Sequence, residues 1–126
     1  MYDAIIVGAR CAGSPLAMLA RKGYRMLLVD RARFPSDMRM STHYIHQPGV
    51  ARLERWNLLE RVESSGCPVI TSHKYDFGDF ALTGSPPAFE EVSVAYAPRR
   101  TVLDKILLAQ TTITGASLSR KLSAAE

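Results

Sequence analysis

Gly8-Ala9-Arg10-Cys11-Ala12-Gly13 is the stretch of this sequence whose residue types and spacing can do chemistry, and that chemistry is the holding of an anion. Gly8 lets the chain turn sharply. The free amides of the residues after it then point at a ligand such as a pyrophosphate, and Gly13 lets a following helix pack closely on a sheet. Asp30 stands 22 positions after Gly8, close to the spacing at which a carboxylate accepts hydrogen bonds from ribose hydroxyls and excludes a 2′-phosphate. The simpler role for Asp30 is a solvated acid at a strand end. His43 and His46 have a metal-like spacing, but no nearby cysteine or carboxylate pair completes a shell, so no metal site is expected. No residue reads as a general acid or base, and the catalytic residues are unknown. The pattern predicts a binding site for the ADP half of a dinucleotide, FAD or NAD in preference to NADP.

Arg10 occupies the place of the fingerprint's second glycine, where a side chain would crowd the pyrophosphate. Two arrangements follow. Either the side chain points outward and only the backbone meets phosphate, which is the preferred expectation, or the guanidinium forks onto a phosphate oxygen. Cys11 is expected as a small side chain filling the tight turn.

The elements that must position these residues follow from apolar patterning. Ala4-Ile5-Ile6-Val7 and Met26-Leu27-Leu28-Val29 are short, bounded apolar runs and predict fully buried strands. Between them Leu16, Leu19 and Ala20 recur at helical spacing, Pro15 is tolerable only in the first turn, and Arg21-Lys22-Gly23 ends the helix. Strand, helix and strand within thirty residues imply a parallel crossover. Residues 31–47 read as a long polar loop. Pro48 opens a helix that runs to about Val62, Tyr75 to Leu82 form a β-hairpin across Gly78, Val92 to Tyr96 form a strand, and Thr101 to Gln110 form a helix. Residues 111–126 show neither periodicity nor turn logic and are expected as an irregular, frayed tail.

A strand, a loop and an acid do not separate FAD from NAD. Asp3-Ala4-Ile5-Ile6-Val7-Gly8, Asp30-Arg31, Ser41-Thr42-His43 and Pro98-Arg99-Arg100-Thr101-Val102-Leu103-Asp104 together resemble the FAD-dependent oxidoreductases related to para-hydroxybenzoate hydroxylase and geranylgeranyl reductase, over about Tyr2 to Leu108. In that family an Arg or Gln followed three residues later by Leu opens a helix that contacts the flavin, and Arg100 and Leu103 match. The resemblance implies an α/β, Rossmann-like βαβ FAD-binding domain with a parallel sheet and a small β-hairpin insertion. It implies FAD as cofactor, held by Gly8, Ala9, Arg10, Cys11, Ala12, Gly13, Asp30, Arg31, Ser41, Thr42 and Arg100. Arg100 would hold the phosphate and ribitol region, and Ser41 and Thr42 would offer hydroxyls and amides along the cofactor. NAD(P)H as reductant and a small-molecule substrate, hydroxylated or reduced at a prenyl double bond, follow from the family. Some branches carry a residue other than glycine at the middle of the fingerprint.

The family's later Asp-Gly and Gly-Asp pairs have no counterpart after Leu108, and Gly78-Asp79 lies upstream of Arg100. The expectation is therefore a truncated chain: residues 1–110 as the N-terminal part of an FAD-binding domain, then the tail. A non-catalytic nucleotide-binding remnant is one alternative. An NAD-binding dehydrogenase domain is another, against which Arg100, Leu103 and Asp104 speak.

Composition narrows the class further. With 126 residues and 47% hydrophobic content the chain can bury one core. Its charge of +4 comes from sixteen basic residues scattered against twelve acidic ones, with no basic run of the kind a nucleic-acid surface needs. Two cysteines 56 residues apart fit no zinc spacing. No basic leader and no run of eighteen apolar residues is present, so a soluble, cytoplasmic protein without a transmembrane segment is expected. A parallel sheet short of partners would leave edges open and favour self-association.

Overall fold

The computed structural model describes residues 1–119. In chain order its elements are β1 (Ala4–Val7), α1 (Gly13–Ala17), a 3-10 segment (Met18–Lys22), β2 (Met26–Val29), α2 (Gln47–Arg55), α3 (Leu59–Glu63), β3 (Val69–Ile70), β4 (His73–Asp76), β5 (Ala81–Gly84), β6 (Ala95–Tyr96), α4 (Arg100–Ile113) and β7 (Ser117–Ser119). They fall into two units, one of Met1–Arg39 with the chain from Arg100, the other of Met40–Arg99.

In the first unit β1 and β2 lie parallel, Ala4 opposite Met26 through Val7 opposite Val29. The connection is α1 and the 3-10 segment, with Pro15 in the first turn of α1, where its missing amide hydrogen has no helical partner. Gly23, at φ +92°, ends the segment in the left-handed conformation that glycine adopts without a Cβ clash. Ile6, Ala9, Ala17, Met26, Leu28 and Ala116 form the core. Burying a side chain such as Leu28, which has no exposed surface, contributes about 1.5–3 kcal/mol.

Two expectations are corrected here. β1 is not buried on both faces: Ile6 is 8% exposed, whereas Ile5 and Val7 are 63% and 76% exposed. Successive strand side chains point to opposite faces, and only the Ile6 face is covered. The irregular tail expected from Thr111 is, over 111–119, regular structure. α4 runs on to Ile113, and β7 adds to β2 in parallel, Leu27 opposite Ser117 through Val29 opposite Ser119, giving the order β1-β2-β7. The turn between them is a Schellman motif: the amide of Gly115, at φ +93°, donates to the Thr112 carbonyl and that of Ala116 to the Thr111 carbonyl. The remainder of the expected tail, residues 120–126, lies outside the described residues.

In the second unit the helix expected from Pro48 to Val62 is broken in two. Asn57 takes φ +56°, its amide bonds the Glu54 carbonyl, and the Leu58 amide bonds the Leu53 carbonyl. This is again a Schellman stop, completed by the buried pair Leu53 and Leu58. β3 and β6 pair antiparallel, so the strand expected over 92–96 shortens to Ala95–Tyr96, with Val92 in a separate bridge to Phe89. The hairpin forms as expected: Asp76 faces Ala81, Phe77 donates to the Phe80 carbonyl, and Gly78 sits at φ +88°. Tyr75, Phe77, Phe80 and Leu82 are all more than half exposed on it. Among the described residues no helix is long and apolar enough to cross a membrane.

Candidate dinucleotide-binding site

The carboxyl ends of β1 and β2 deliver Gly8 and Asp30 side by side, since Val7 and Val29 are register partners. Gly8, at φ +105°, turns the chain out of the sheet, and its amide donates to the Val29 carbonyl at 2.8 Å. Gly13 returns the chain against that turn. A Cβ built on Gly13 would lie 1.8 Å from the Gly8 carbonyl oxygen and 3.1 Å from Cγ2 of Ile6. Both end glycines of the fingerprint are therefore required, one by its backbone angle and one by lack of space.

Asp30 closes the loop from the other side. Its Oδ2 accepts the Ala9 amide at 2.7 Å and its Oδ1 the Ala32 amide at 2.7 Å. Ser14 donates through Oγ to the Ala9 carbonyl, and Thr111 of α4 donates to the Ser14 carbonyl, both at 2.9 Å. The amides of Arg10, Cys11, Ala12 and Gly13 meet no acceptor among the described residues. Unpaired donors at the start of a helix form a cradle suited to phosphate oxygens. Cys11 stands exposed on the turn instead of filling it. Arg31 is exposed immediately after Asp30.

Arg10 adopts neither expected arrangement in its simple form. Its guanidinium bonds Asp104 Oδ2 at 2.6 Å and Ser36 Oγ at 2.9 Å, and lies 5.3 Å from the centre of the Phe34 ring. Arg100 meets the same carboxylate, with Nε 3.1 Å and Nη2 3.0 Å from Oδ1. Asp104 itself has no exposed surface. A cation in the first turn of a helix is opposed by the helix dipole, and Asp104, one turn on, supplies the anionic partner that offsets it. Ser36 and Phe34 were not singled out by sequence reasoning, and Asp104 was named only as part of the matching motif, without a partner. The Arg100 and Asp104 spacing of four on one helix face was the available signal, whereas nothing local points to Ser36.

Over 94% of its length the chain superposes on Bmp2, a flavin-dependent brominase, with a TM-score of 0.81 at 18% identity, and it spans 29% of that enzyme. The myxobacterial chondrochloren halogenase CndH, a variant FAD-dependent halogenase, matches over 94% with a TM-score of 0.76 at 22% identity, across 28% of its chain. A flavoprotein/dehydrogenase from Cytophaga hutchinsonii matches over 94% with a TM-score of 0.75 at 19% identity, across 29% of its chain. The fold is one that flavin-dependent halogenases share. No protein-family model and no curated protein matches the sequence.

Within this halogenase-type fold the structure brings Gly8 to Gly13, Asp30, Arg31 and Arg100 into the first unit, while Ser41 and Thr42 belong to the second. There the two hydroxyls serve the backbone: Ser41 Oγ accepts the His43 amide at 3.1 Å and Thr42 Oγ1 the Tyr44 amide at 3.4 Å. His43 takes φ +61°, and its buried Nδ1 and the buried Nε2 of Gln47 meet no partner among the described residues. Tyr44 Oη and His73 Nε2 form a short hydrogen bond, and burial pushes the Tyr44 phenol up. Among the described residues no three His, Cys, Asp or Glu side chains gather as a metal shell would require.

Proposed function

We propose that this chain is the FAD-binding portion of a flavin-dependent oxidoreductase, with residues 1–110 forming the N-terminal part of the FAD-binding domain. The observation that carries the proposal is the loop from Gly8 to Gly13, with four unpaired amides at a helix start and the Asp30 carboxylate beside it on the neighbouring strand. The loop amides would hold the pyrophosphate, Asp30 the ribose hydroxyls, and Arg100 an anionic part of the cofactor. The flavin-dependent enzymes that share the fold support FAD over NAD. FAD supplies two-electron redox chemistry when bound, and the chain's own residues bind and orient it.

Within that class the sequence resemblance favours a monooxygenase or prenyl reductase, with NAD(P)H as hydride donor and a small-molecule substrate. A role for Ser41 and Thr42 along the cofactor rests on the same resemblance. The two free cysteines, Cys11 and Cys67, suit a reducing cytoplasm. The exposed Ile5 and Val7 on edge strand β1 support self-association. The purified chain, given FAD in excess and desalted, should retain the visible absorption of a bound flavin. A folded chain that retains none refutes the proposal. Bound flavin that NAD(P)H fails to bleach without oxygen identifies instead a nucleotide-binding remnant.

A further inference from the structure

Arg10 stands where dinucleotide fingerprints carry their second glycine, the residue whose missing side chain lets the pyrophosphate approach. On sterics alone this arginine is a defect. Its head, however, is engaged: Nη1 donates to Asp104 Oδ2 at 2.6 Å and to the Ser36 carbonyl at 3.3 Å, Nη2 donates to Ser36 Oγ at 2.9 Å, and the guanidinium faces Phe34. The contacts tie three separate segments together, namely the fingerprint loop, the loop after Asp30 and the second turn of α4. Asp104, fully buried, gives Oδ2 to Arg10 at 2.6 Å, while Arg100 sits chiefly on Oδ1 through Nε and Nη2 and reaches Oδ2 only at 3.2 Å. One carboxylate between two guanidiniums leaves the cluster with a net charge of one positive unit, beside a loop of unpaired amides.

We propose that Arg10 is a positioning residue of the dinucleotide site. Its 2.6 Å bond to Asp104 Oδ2 leaves Arg100 only the longer contact there and seats that guanidinium chiefly on Oδ1, fixing its direction, and through Ser36 it draws the loop after Asp30 toward the fingerprint. The ligand served is an anionic dinucleotide pyrophosphate, and the inference rests on the function proposed above. Without Arg10, Asp104 turns wholly to Arg100, since a buried carboxylate cannot be left half paired at low cost. Arg100 is then neutralised, and the loop after Asp30 loses its anchor.

The test turns on sign. Arg10→Gly, which restores the ordinary fingerprint, should weaken FAD binding about tenfold or more, as expected for losing a charged hydrogen-bond network, and should change the circular dichroism of the bound flavin. Asp104→Asn should weaken it similarly, and the double variant should lose no more than the worse single one, because both remove the same constraint. Arg10→Lys, which keeps the charge without the fork, should recover part of the affinity. Far-ultraviolet circular dichroism establishes that each variant is folded, and if Arg10→Gly is not, Arg10→Gln is held to the same criteria. Binding by Arg10→Gly as tight as wild type or tighter, or additive losses in the double variant, overturns the inference alone. A folded wild-type chain that takes no FAD overturns the proposed function and this inference with it.

Discussion

Replacing Gly13 by alanine adds one methyl group where the backbone leaves no room for it. Gly13 is the first residue of α1 and its φ is not in the left-handed region, so alanine is conformationally acceptable and on propensity alone would gain up to about 1 kcal/mol. Sterics oppose this. The new carbon would fall 1.8 Å from the Gly8 carbonyl oxygen, 3.0 Å from its carbon and 3.1 Å from Ile6 Cγ2. The first two are backbone atoms of a turn already fixed by the Gly8 to Val29 bond, so α1 must retreat from β1. Retreat opens the cluster of Ile6, Ala9, Ala17 and Leu28, and strain of this kind costs about 1–3 kcal/mol. After the propensity gain is subtracted, the expected net result is a loss of about 1–2 kcal/mol, seen as a fall in Tm of roughly 4–8 °C for a domain of this size. Weaker FAD binding should accompany it, because the loop amides move with the helix. Thermal melts by circular dichroism and flavin fluorescence titration measure the two effects. Gly13→Ala with unchanged Tm and affinity would refute the packing argument and the cradle built on it.

Other consequences follow from single contacts. Thr111→Val removes the hydroxyl that bonds both the Ser14 and Leu107 carbonyls and should cost about 1 kcal/mol in urea denaturation, with Thr111→Ser costing less. Asn57→Ala should destabilise the second unit by about 1–2 kcal/mol, because alanine tolerates φ +56° poorly, while Asn57→Gly should cost little. Burial and the bond to Glu63 hold the Tyr96 phenol up at about 12, above its ordinary 10. The raised value favours the protonated phenol in the folded state, so its contribution is complete below pH 10 and is lost as pH rises toward 12. Tyr96→Phe should flatten stability across that interval, and an unchanged alkaline slope would contradict the assignment.

The first thirty residues were legible because their signals are local. Two apolar runs, a glycine-rich turn and an acid at the second strand's end sit in one short crossover, and the structure reproduces their boundaries at Ala4–Val7 and Met26–Val29. The chain from Thr111 was not legible, although Gly115 is a good helix stop, because β7 is only Ser117–Ser119 and is held by its place beside β2. Three residues without alternation carry no period to detect. Asn57 is a similar case, for asparagine punctuates less plainly than glycine or proline, and the apolar spacing continues across it. Half the burial of β1 was misjudged because Ile5, Ile6 and Val7 are all apolar, and composition alone does not tell which face is covered. Arg10 read as a departure from a motif. Its partners lie 26 and 94 positions away, at Ser36 and Asp104, and a long-range ion pair leaves no trace in spacing.

The decisive property of the chain is whether its Gly8 to Gly13 cradle takes a dinucleotide. Titrating the folded chain into FAD and following the quenching of flavin fluorescence tests this directly. Saturable binding that ADP competes away, and that Asp30→Ala weakens, is the predicted result. A chain that shows its folded circular dichroism and leaves FAD fluorescence unchanged would contradict it.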